Sequence, residues 1–207
     1  IGPKTFIGFD NYRQLWDDPV FWKALVNNIY WLVLFLLAPV IGLFVALFLN
    51  QKVFGIRLVK TLFFFPFVES QIVVGMIFTW FYDPSFCLIA AIIEPLGWTI
   101  PSILADENWA TIVVIVAGLW PQTAYCMILY LTGLNSVNPE IVEAARLDGA
   151  KGWRLLVHIV LPQLRAATFI AIVVTIIGAL RSFDLVAIMT EGGPYNSSNV
   201  LAYYMYD

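Results

Sequence analysis

Long runs of uncharged, apolar residues recur along this chain and are separated by shorter polar stretches. A helix needs about 20 predominantly apolar residues to cross a bilayer, whereas a helix on a soluble core needs a polar face. The pattern therefore predicts an all-α polytopic membrane protein, a single transmembrane domain in which each run forms one span. The predicted spans cover residues 24–49, 61–82, 109–134 and 166–189.

Composition agrees with this pattern and excludes several classes of protein. The 207 residues are 61% hydrophobic and 12% charged, against about 45–50% and about 25% in soluble domains. The formal net charge of -3 argues against nucleic-acid binding, which needs a basic face. Two cysteines and one histidine are too few for a zinc cluster, so no metal site is expected.

Lysine and arginine in the connecting segments predict the orientation in the membrane. Segments 50–60 and 135–165 are rich in these residues, whereas loop 83–108 contains acidic residues and neither Lys nor Arg. We therefore expect 50–60 and 135–165 on the cytoplasmic side, and 83–108 and 190–200 outside. The segment 1–23, with apolar side chains among polar ones, is expected to lie along the outer interface.

The last predicted cytoplasmic segment has clear signals for helix ends. Asn138 is a favourable N-cap and Pro139 suits the first helical turn. Gly149 predicts the end of this helix, because glycine enters the left-handed conformation at little cost. A second short helix is predicted over about 150–160, with Pro162 as its end. The segment should thus form two short helices at a bend.

A motif in this segment resembles the EAA loop of binding-protein-dependent ABC importers. It reads Glu-Ala-Ala at 143–145, Gly149 after three residues, and Ile-x-Leu-Pro at 159–162 after nine more. The resemblance implies a type I importer transmembrane domain, with four of six core spans visible here and more chain expected at both ends. It also implies that this loop is a coupling helix docking into a groove of a separate ATPase subunit. The residues expected at that contact are Glu143, Ala144, Ala145, Gly149, Ala150, Trp153, Ile159, Leu161 and Pro162.

Both ends of the chain narrow the resemblance to sugar permeases of the maltose type. Residues 6–28, FIGFDNYRQLWDDPVFWKALVNN, resemble the outer segment of those permeases. Residues 183–206, FDLVAIMTEGGPYNSSNVLAYYMY, resemble their FD…T-x-GGP…L…Y-x-Y pattern. The resemblance implies a carbohydrate, polyol or glycerophosphoryl solute and a bacterial inner-membrane location.

The same resemblance implies a set of partners. These are two ABC ATPase subunits, a second permease subunit in a heterodimer, and an extracytoplasmic solute-binding protein, all around a pore in membrane lipid. The sequence contains no G-x-x-x-x-G-K-[ST] stretch, which would cradle nucleotide phosphates. We therefore expect ATP and Mg²⁺ on the ATPase subunits, no cofactor on this chain, and no catalytic residue in it.

Polar and small residues within the spans are candidates for the substrate pathway. Gly118, Gln122 and Tyr125 recur at spacings of four and three, so they share a helix face that offers hydrogen-bonding groups beside an aromatic ring. Helix packing explains the same pattern. Glu69 stands where related permeases usually carry an apolar residue. It either accepts solute hydroxyls or is a carboxyl that is protonated or paired with a partner subunit.

Arg181 and Asp184 are three residues apart, which predicts an ion pair on one helix face. That pair is either structural or part of the pathway. By resemblance, further candidates occupy positions comparable to substrate contacts in maltose-type permeases. The full set is Glu69, Gln71, Gly118, Gln122, Tyr125, Ala179, Arg181, Ser182 and Asp184.

Three other functions are alternatives to a sugar importer. An ion-driven secondary transporter or channel would explain the charges in the spans but not the EAA spacing. A membrane-embedded enzyme would need a nucleophile–base set or a metal constellation, which the sequence lacks. An ABC importer for an amino acid or a phosphate-like solute would share the coupling loop and differ only in its pathway.

Overall fold

A computed structural model describes residues 8–51, 54–84 and 102–206 of the chain. Within these ranges the regular elements are helical, as the sequence predicts. The loop predicted over 83–108 lies largely outside them. The helices are α1 (Asp10–Asp17), α2 (Pro19–Phe35), α3 (Leu37–Leu49), α4 (Ile56–Val68), α5 (Gln71–Tyr82), α6 (Ala110–Asn135), α7 (Pro139–Leu147), α8 (Gly152–Gln163), α9 (Arg165–Leu180), α10 (Asp184–Met189) and α11 (Leu201–Tyr204), with a 3₁₀ turn at Ile103–Ala105.

Two stretches of described helix are long and apolar enough to cross a membrane by themselves. They are α2 with α3, which together cover Pro19–Leu49 in 31 residues, and α6, which has 26 residues. The pairs α4–α5 and α8–α9 meet the same test only if each interrupted pair is counted as one span. The described residues therefore hold two candidate spans, or up to four if each bent pair is one span.

The first predicted span has a local irregularity at Leu36, between α2 and α3. Pro39 lies in the first turn of α3. Proline lacks a backbone N–H and is tolerated in a first turn, where that donor would have no intrahelical acceptor. The irregularity thus occurs where the sequence permits a new helix start.

The second predicted span, 61–82, is interrupted rather than continuous. Helix α4 ends at Val68, Glu69 adopts an extended conformation (φ -74°, ψ 144°), and α5 begins at Gln71. Pro66 lies inside the last turn of α4 and removes one backbone hydrogen bond there. The chain leaves the helix at Glu69 and Ser70. Two polar residues there should cost less free energy than two apolar residues would.

The fourth predicted span, 166–189, is also divided, into α9 and α10. The backbone N–H of Phe183 donates to the carbonyl of Arg181 at 2.8 Å, which replaces the helical bond to a residue four positions earlier. The interruption falls where Arg181 and Ser182 end the apolar run.

The chain forms two compact units. The first comprises the described parts of 1–31, 71–117 and 180–207, and the second those of 32–70 and 118–179.

The core of the second unit is built where α3 and α6 approach closely. A Cβ added at Gly42 would lie 2.7 Å from the Cβ of Cys126 and 2.9 Å from the backbone nitrogen of Met127. Small residues permit such approaches between membrane helices, where dispersion contacts supply much of the packing energy. The buried core residues are Ala38, Ala46, Leu49, Cys126, Met127, Tyr130, Leu134, Leu164 and Ala171.

In the first unit, α5 packs against α10. A Cβ added at Gly75 would lie 3.1 Å from the Cγ2 atom of Ile188, so glycine again sets the distance between two helices. The hydroxyl of Tyr82, at the end of α5, donates to the carbonyl of Val113 at 3.2 Å.

Candidate functional site

Helix α7 begins as the sequence predicts. The side chain of Asn138 accepts a hydrogen bond from the backbone N–H of Glu140 at 2.8 Å, and Pro139 occupies the first helical position. This cap satisfies one of the backbone donors that a helix N-terminus leaves unpaired. The side chain of Glu140, in the first turn, is also favoured by the helix dipole.

The end of α7 is a Schellman motif centred on Gly149. Gly149 has φ +87°, and its N–H donates to the carbonyl of Arg146 at 3.1 Å. The N–H of Ala150 donates to the carbonyl of Ala145 at 2.9 Å. These are the two bonds that define the motif. The prediction that Gly149 ends this helix is therefore confirmed, and the motif explains why a glycine follows the second alanine after three residues.

The two motif alanines have different environments. Ala145 is buried, whereas Glu143 and Ala144 are exposed. Adjacent residues differ by about 100° around a helix, so one alanine faces the protein when its neighbour faces outward. Of the two alanines expected at the ATPase contact, Ala144 is therefore accessible, while Ala145 belongs to the interior of the loop.

Helix α8 is longer than predicted, because it continues through Pro162 to Gln163. The prediction that Pro162 ends the helix is wrong. Its central residues Leu156–Val160 are π-helical, and the wider π turn changes the hydrogen-bonding register ahead of the proline. Helix α9 then begins at Arg165, with a bend of 73° between α8 and α9.

Gln163 links the two short helices, a role that the sequence did not indicate. Its Oε1 atom accepts from the backbone N–H of Asn138 at 3.1 Å, and its Nε2 atom donates to the carbonyl of Ile159 at 3.0 Å. The residue that caps α7 is thereby held to the end of α8. Only the tertiary fold places these residues together, since 25 positions separate Gln163 from Asn138.

Two large apolar side chains of the α7–α8 pair are exposed. Leu147 is 90% exposed and Trp153 is 67% exposed. Large apolar side chains at such exposure favour a contact with another protein. Of the other predicted contact residues, Gly149 and Pro162 are exposed, and Ala150, Ile159 and Leu161 are half-buried.

Gln122 is engaged in helix packing. Its Nε2 atom donates to the Oγ1 atom of Thr175 on α9 at 2.9 Å and lies 3.9 Å from the Sγ atom of Cys126. Gly178 provides space beside it, since a Cβ there would lie 3.5 Å from Oε1 of Gln122. This geometry supports the helix-packing explanation for Gln122.

The other members of that predicted face differ from Gln122. Tyr125 stacks on Phe67 of α4, with ring centroids 5.4 Å apart and planes at 25°, and is half-buried. Gly118 is buried. Tyr125 therefore combines an aromatic surface with partial exposure, whereas Gly118 serves close packing.

The predicted ion pair of Arg181 with Asp184 does not form. The ion pair found in the described part of the chain is Arg13 with Asp10, at 4.0 Å. Helix α10 begins only at Asp184, so the two residues lack the helical spacing that the prediction assumed. Both side chains are exposed.

The remaining pathway candidates fall into two groups. Glu69 is half-buried at the break between α4 and α5, and Gln71 is exposed at the start of α5. Ala179 and Ser182 are buried. In the part of the chain that the structure describes, no group of three or more His, Cys, Asp or Glu side chains is placed to hold a metal ion.

The sequence did not indicate a polar network that joins the middle of α2 to the segment before α11. Asn27 donates from its Nδ2 atom to the carbonyls of Ser197 and Asn199 at 2.6 and 2.8 Å. Asn28 accepts from the N–H of Leu201 at 2.8 Å through Oδ1. Thr111 donates to the carbonyl of Ser197 at 2.8 Å. Both family-like end segments thus meet in one buried cluster.

At the edge of this network the hydroxyl of Tyr204 donates to Oδ2 of Asp18 at 2.5 Å. The bond favours the carboxylate and the neutral phenol. It therefore lowers the pKa of Asp18 and raises the pKa of Tyr204.

Comparison with known proteins identifies the class to which these features belong. Residues 38–207 match the family described as the binding-protein-dependent transport system inner membrane component. This chain belongs to that family and is an integral membrane permease.

Individual relatives and a solved structure are also similar. A probable ABC transporter permease of Pyrococcus horikoshii is 36% identical over 204 residues, covering 97% of this chain and 70% of the relative. The lactose transport system permease protein LacF of Rhizobium radiobacter is 34% identical over 212 residues, with coverage of 98% and 70%. A bacterial ABC transporter involved in alginate import has the same fold, with a TM-score of 0.88, 24% identity and coverage of 98% and 72%.

Proposed function

We propose that this chain is the permease subunit of an ATP-driven importer for a carbohydrate or a related polyol or glycerophosphoryl solute. It would form half of the transmembrane pathway beside a second, related permease in a bacterial inner membrane. Family membership supports the transport role. The similarity to a lactose permease supports the solute class.

The observation that carries the coupling role is the hydrogen-bonded turn at Gly149. It places exposed Leu147 immediately before the turn and exposed Trp153 shortly after it. ATP binding can shift the transport equilibrium only through a difference in affinity between two states. The contact between the α7–α8 pair and the ATPase must therefore resist deformation if it is to transmit that difference. The Schellman bonds and the Gln163 link both stiffen this pair of helices.

The α7–α8 pair is linked to α9 through Leu164, whose N–H donates to the carbonyls of Val160 and Leu161 at 3.2 and 3.0 Å and whose carbonyl accepts from the N–H of Thr168 at 2.8 Å. In the proposed mechanism, nucleotide binding draws two ATPase subunits together and each α7–α8 pair follows its groove. Helix α9 then turns with α8 and opens the pathway to the outside, where a binding protein releases the solute. ATP and Mg²⁺ would be held by the ATPase subunits.

Within the pathway we assign solute contact to Tyr125 and Glu69. Tyr125 offers a ring and a hydroxyl beside Phe67, and Glu69 lies half-buried at a helix break. Aromatic rings beside hydrogen-bonding groups suit sugars. Gln122 is instead assigned to helix packing because its amide donates a hydrogen bond to Thr175 on α9.

The test is reconstitution of the assembled importer in nanodiscs with its binding protein. ATPase activity is measured against panels of oligosaccharides, polyols, glycerophosphodiesters and amino acids. We expect stimulation by one of the first three classes only. Stimulation by amino acids alone would contradict the solute assignment while leaving the coupling assignment intact.

Coupling is tested separately with Leu147→Asp. A carboxylate at this 90% exposed position should weaken docking and uncouple uptake from ATP hydrolysis. Phe54→Asp is the matched control, because Phe54 is a fully exposed apolar side chain in the other predicted cytoplasmic segment. Normal uptake and normal co-purification of the ATPase with Leu147→Asp would overturn the assignment.

A further inference from the structure

Helix α1 and its N-cap residue Phe9 carry a row of exposed aromatic side chains along one face. Phe9 is 77% exposed, Tyr12 68% and Trp16 67%. Their spacings of three and four place them on the same side of the helix. No residue of α1 is buried, so the rest of the described chain leaves this face uncovered.

The opposite side of α1 is polar. Gln14 is two positions from both Tyr12 and Trp16, which places it half a turn away from each. Asn11 and Asp10 also lie away from the rings. Leu15 is half-buried and marks the side that faces the protein. The helix is therefore amphipathic, with aromatic rather than aliphatic residues on its free face.

The end of α1 is attached to the first turns of α2. Only Asp18 separates the two helices. The rings of Trp16 and Trp22 meet edge to face with centroids 4.7 Å apart, and the Nε1 atom of Trp22 donates to the carbonyl of Trp16 at 2.8 Å. These contacts hold Trp16 at the level where the candidate span begins.

From Trp22 onwards, α2 carries a stripe of exposed apolar and aromatic side chains. Trp22, Val26, Ile29 and Tyr30 are all exposed and recur at helical spacing. In a membrane-spanning helix such a stripe faces lipid. The aromatic face of α1 thus adjoins the end of a lipid-facing stripe, at the depth where Trp and Tyr concentrate in membrane proteins.

We propose that α1 lies in the headgroup layer of the membrane, with the Phe9, Tyr12 and Trp16 rings inserted and Gln14 directed towards water. Helix α1 carries two acidic residues, Asp10 and Asp17, and one basic residue, Arg13, so it has no excess of positive charge. Apolar burial rather than attraction to anionic lipid therefore drives the insertion. The helix serves as an interfacial anchor that fixes the depth and tilt of the span that follows.

The inference depends on the chain being a membrane protein, but not on its solute or its ATPase coupling. The test uses the full chain in its assembled importer, with both native cysteines replaced by serine. A single cysteine is introduced as Tyr12→Cys or, in the matched control, as Gln14→Cys. Each is labelled with the environment-sensitive fluorophore NBD in phosphatidylcholine nanodiscs.

At position 12 we expect blue-shifted emission, with quenching by headgroup-nitroxide lipid at least about twofold stronger than at position 14. Aqueous iodide should show the reverse preference. Replacing one third of the lipid with phosphatidylglycerol should leave both results unchanged.

Several results would overturn the proposal. One is equal iodide quenching at both positions with no effect of the nitroxide lipid. A second is protection of position 12 only after the binding protein or an oligosaccharide is added, which would assign the aromatic face to that partner. A third is a requirement for anionic lipid.

Discussion

The carbonyl of Ala145 accepts the backbone N–H of Ala150 at 2.9 Å across the left-handed residue Gly149. This bond joins the second alanine of the family-like motif to the residue that follows its glycine. The hydrogen bonds of the backbone therefore set the spacing of the motif. The turn forms only when the glycine follows the accepting residue by four positions.

Gly149→Ala should reduce solute uptake per ATP hydrolysed. A residue with a Cβ at φ +87° costs about 1 kcal/mol, which would loosen the end of α7. Uptake and ATPase activity are measured on the same proteoliposomes. Gly55→Ala is the control: Gly55 has φ +81°, and a Cβ would meet nothing within 4 Å at either glycine. Equal loss of coupling in both variants would show that general backbone strain, rather than the loop, is responsible.

Asn27→Asp should destabilise the protein by roughly 2–3 kcal/mol. It replaces the amide that donates to the carbonyls of Ser197 and Asn199 with a group that cannot donate when ionised. Thermal unfolding in detergent measures the effect. Asn28→Asp is the matched control, since both asparagines are buried but Asn28 acts as an acceptor from Leu201. Similar losses in the two variants would mean that buried charge, not the lost donor, dominates.

Gly42→Ala should lower the melting temperature more than Gly178→Ala. The new methyl group at position 42 would lie 2.9 Å from the backbone nitrogen of Met127, which cannot move without shifting α6. Overpacking of this kind costs about 1–3 kcal/mol. At position 178 the nearest atom would be 3.5 Å away, an ordinary contact. Tolerance of Gly42→Ala would contradict the close approach of α3 and α6.

Gln122→Leu and Thr175→Val should be coupled in stability. Their side chains share a hydrogen bond of 2.9 Å, so a double-mutant cycle should give an interaction energy of about 0.5–1.5 kcal/mol. The apparent KM for solute should change less in these variants than in Tyr125→Phe. A large KM effect of Gln122→Leu without stability coupling would return Gln122 to the substrate pathway.

The Asp18–Tyr204 bond should be strongest between about pH 4 and pH 10. The pKa of Asp18 is lowered, so its contribution is present above the unfolded-state value and disappears as pH falls through the folded value. The pKa of Tyr204 is raised, so its contribution is present below its unfolded value and disappears as pH rises through the folded one. Hydrogen-exchange protection of Leu201–Tyr204, compared between wild type and Tyr204→Phe, measures this. A difference that persists unchanged at a pH low enough to protonate Asp18 would contradict it.

Local features were predictable because they depend on neighbouring residues. The Asn138 cap and the Gly149 turn involve backbone groups within a few positions, and both occur as predicted. Pro162 shows the limit of such rules. Proline usually ends a helix, but the π-helical stretch before it, at Leu156–Val160, lets α8 continue, and a local rule does not include that change of register.

Predictions about pairs of side chains depended on assumed helix continuity. The ion pair of Arg181 with Asp184 required one helix through both residues, and the structure interrupts the helix between them. The sequence placed Gln122 on a helix face suited either to a sugar or to helix packing. In the structure its hydrogen-bond partner is Thr175, which lies 53 positions later. No spacing rule along one helix can identify such a partner.

The amino-acid sequence alone determined that this is an all-helical membrane protein, where its apolar runs lie, and how the ends of α7 are formed. These properties follow from local composition and from backbone hydrogen bonds over short separations. Only the tertiary structure decided which polar residues meet, such as Asn27 with Ser197 across 170 positions, and which alanine of the motif is buried. The reason is physical: within an apolar span any polar side chain must find a partner, but the partner is selected by how the helices pack.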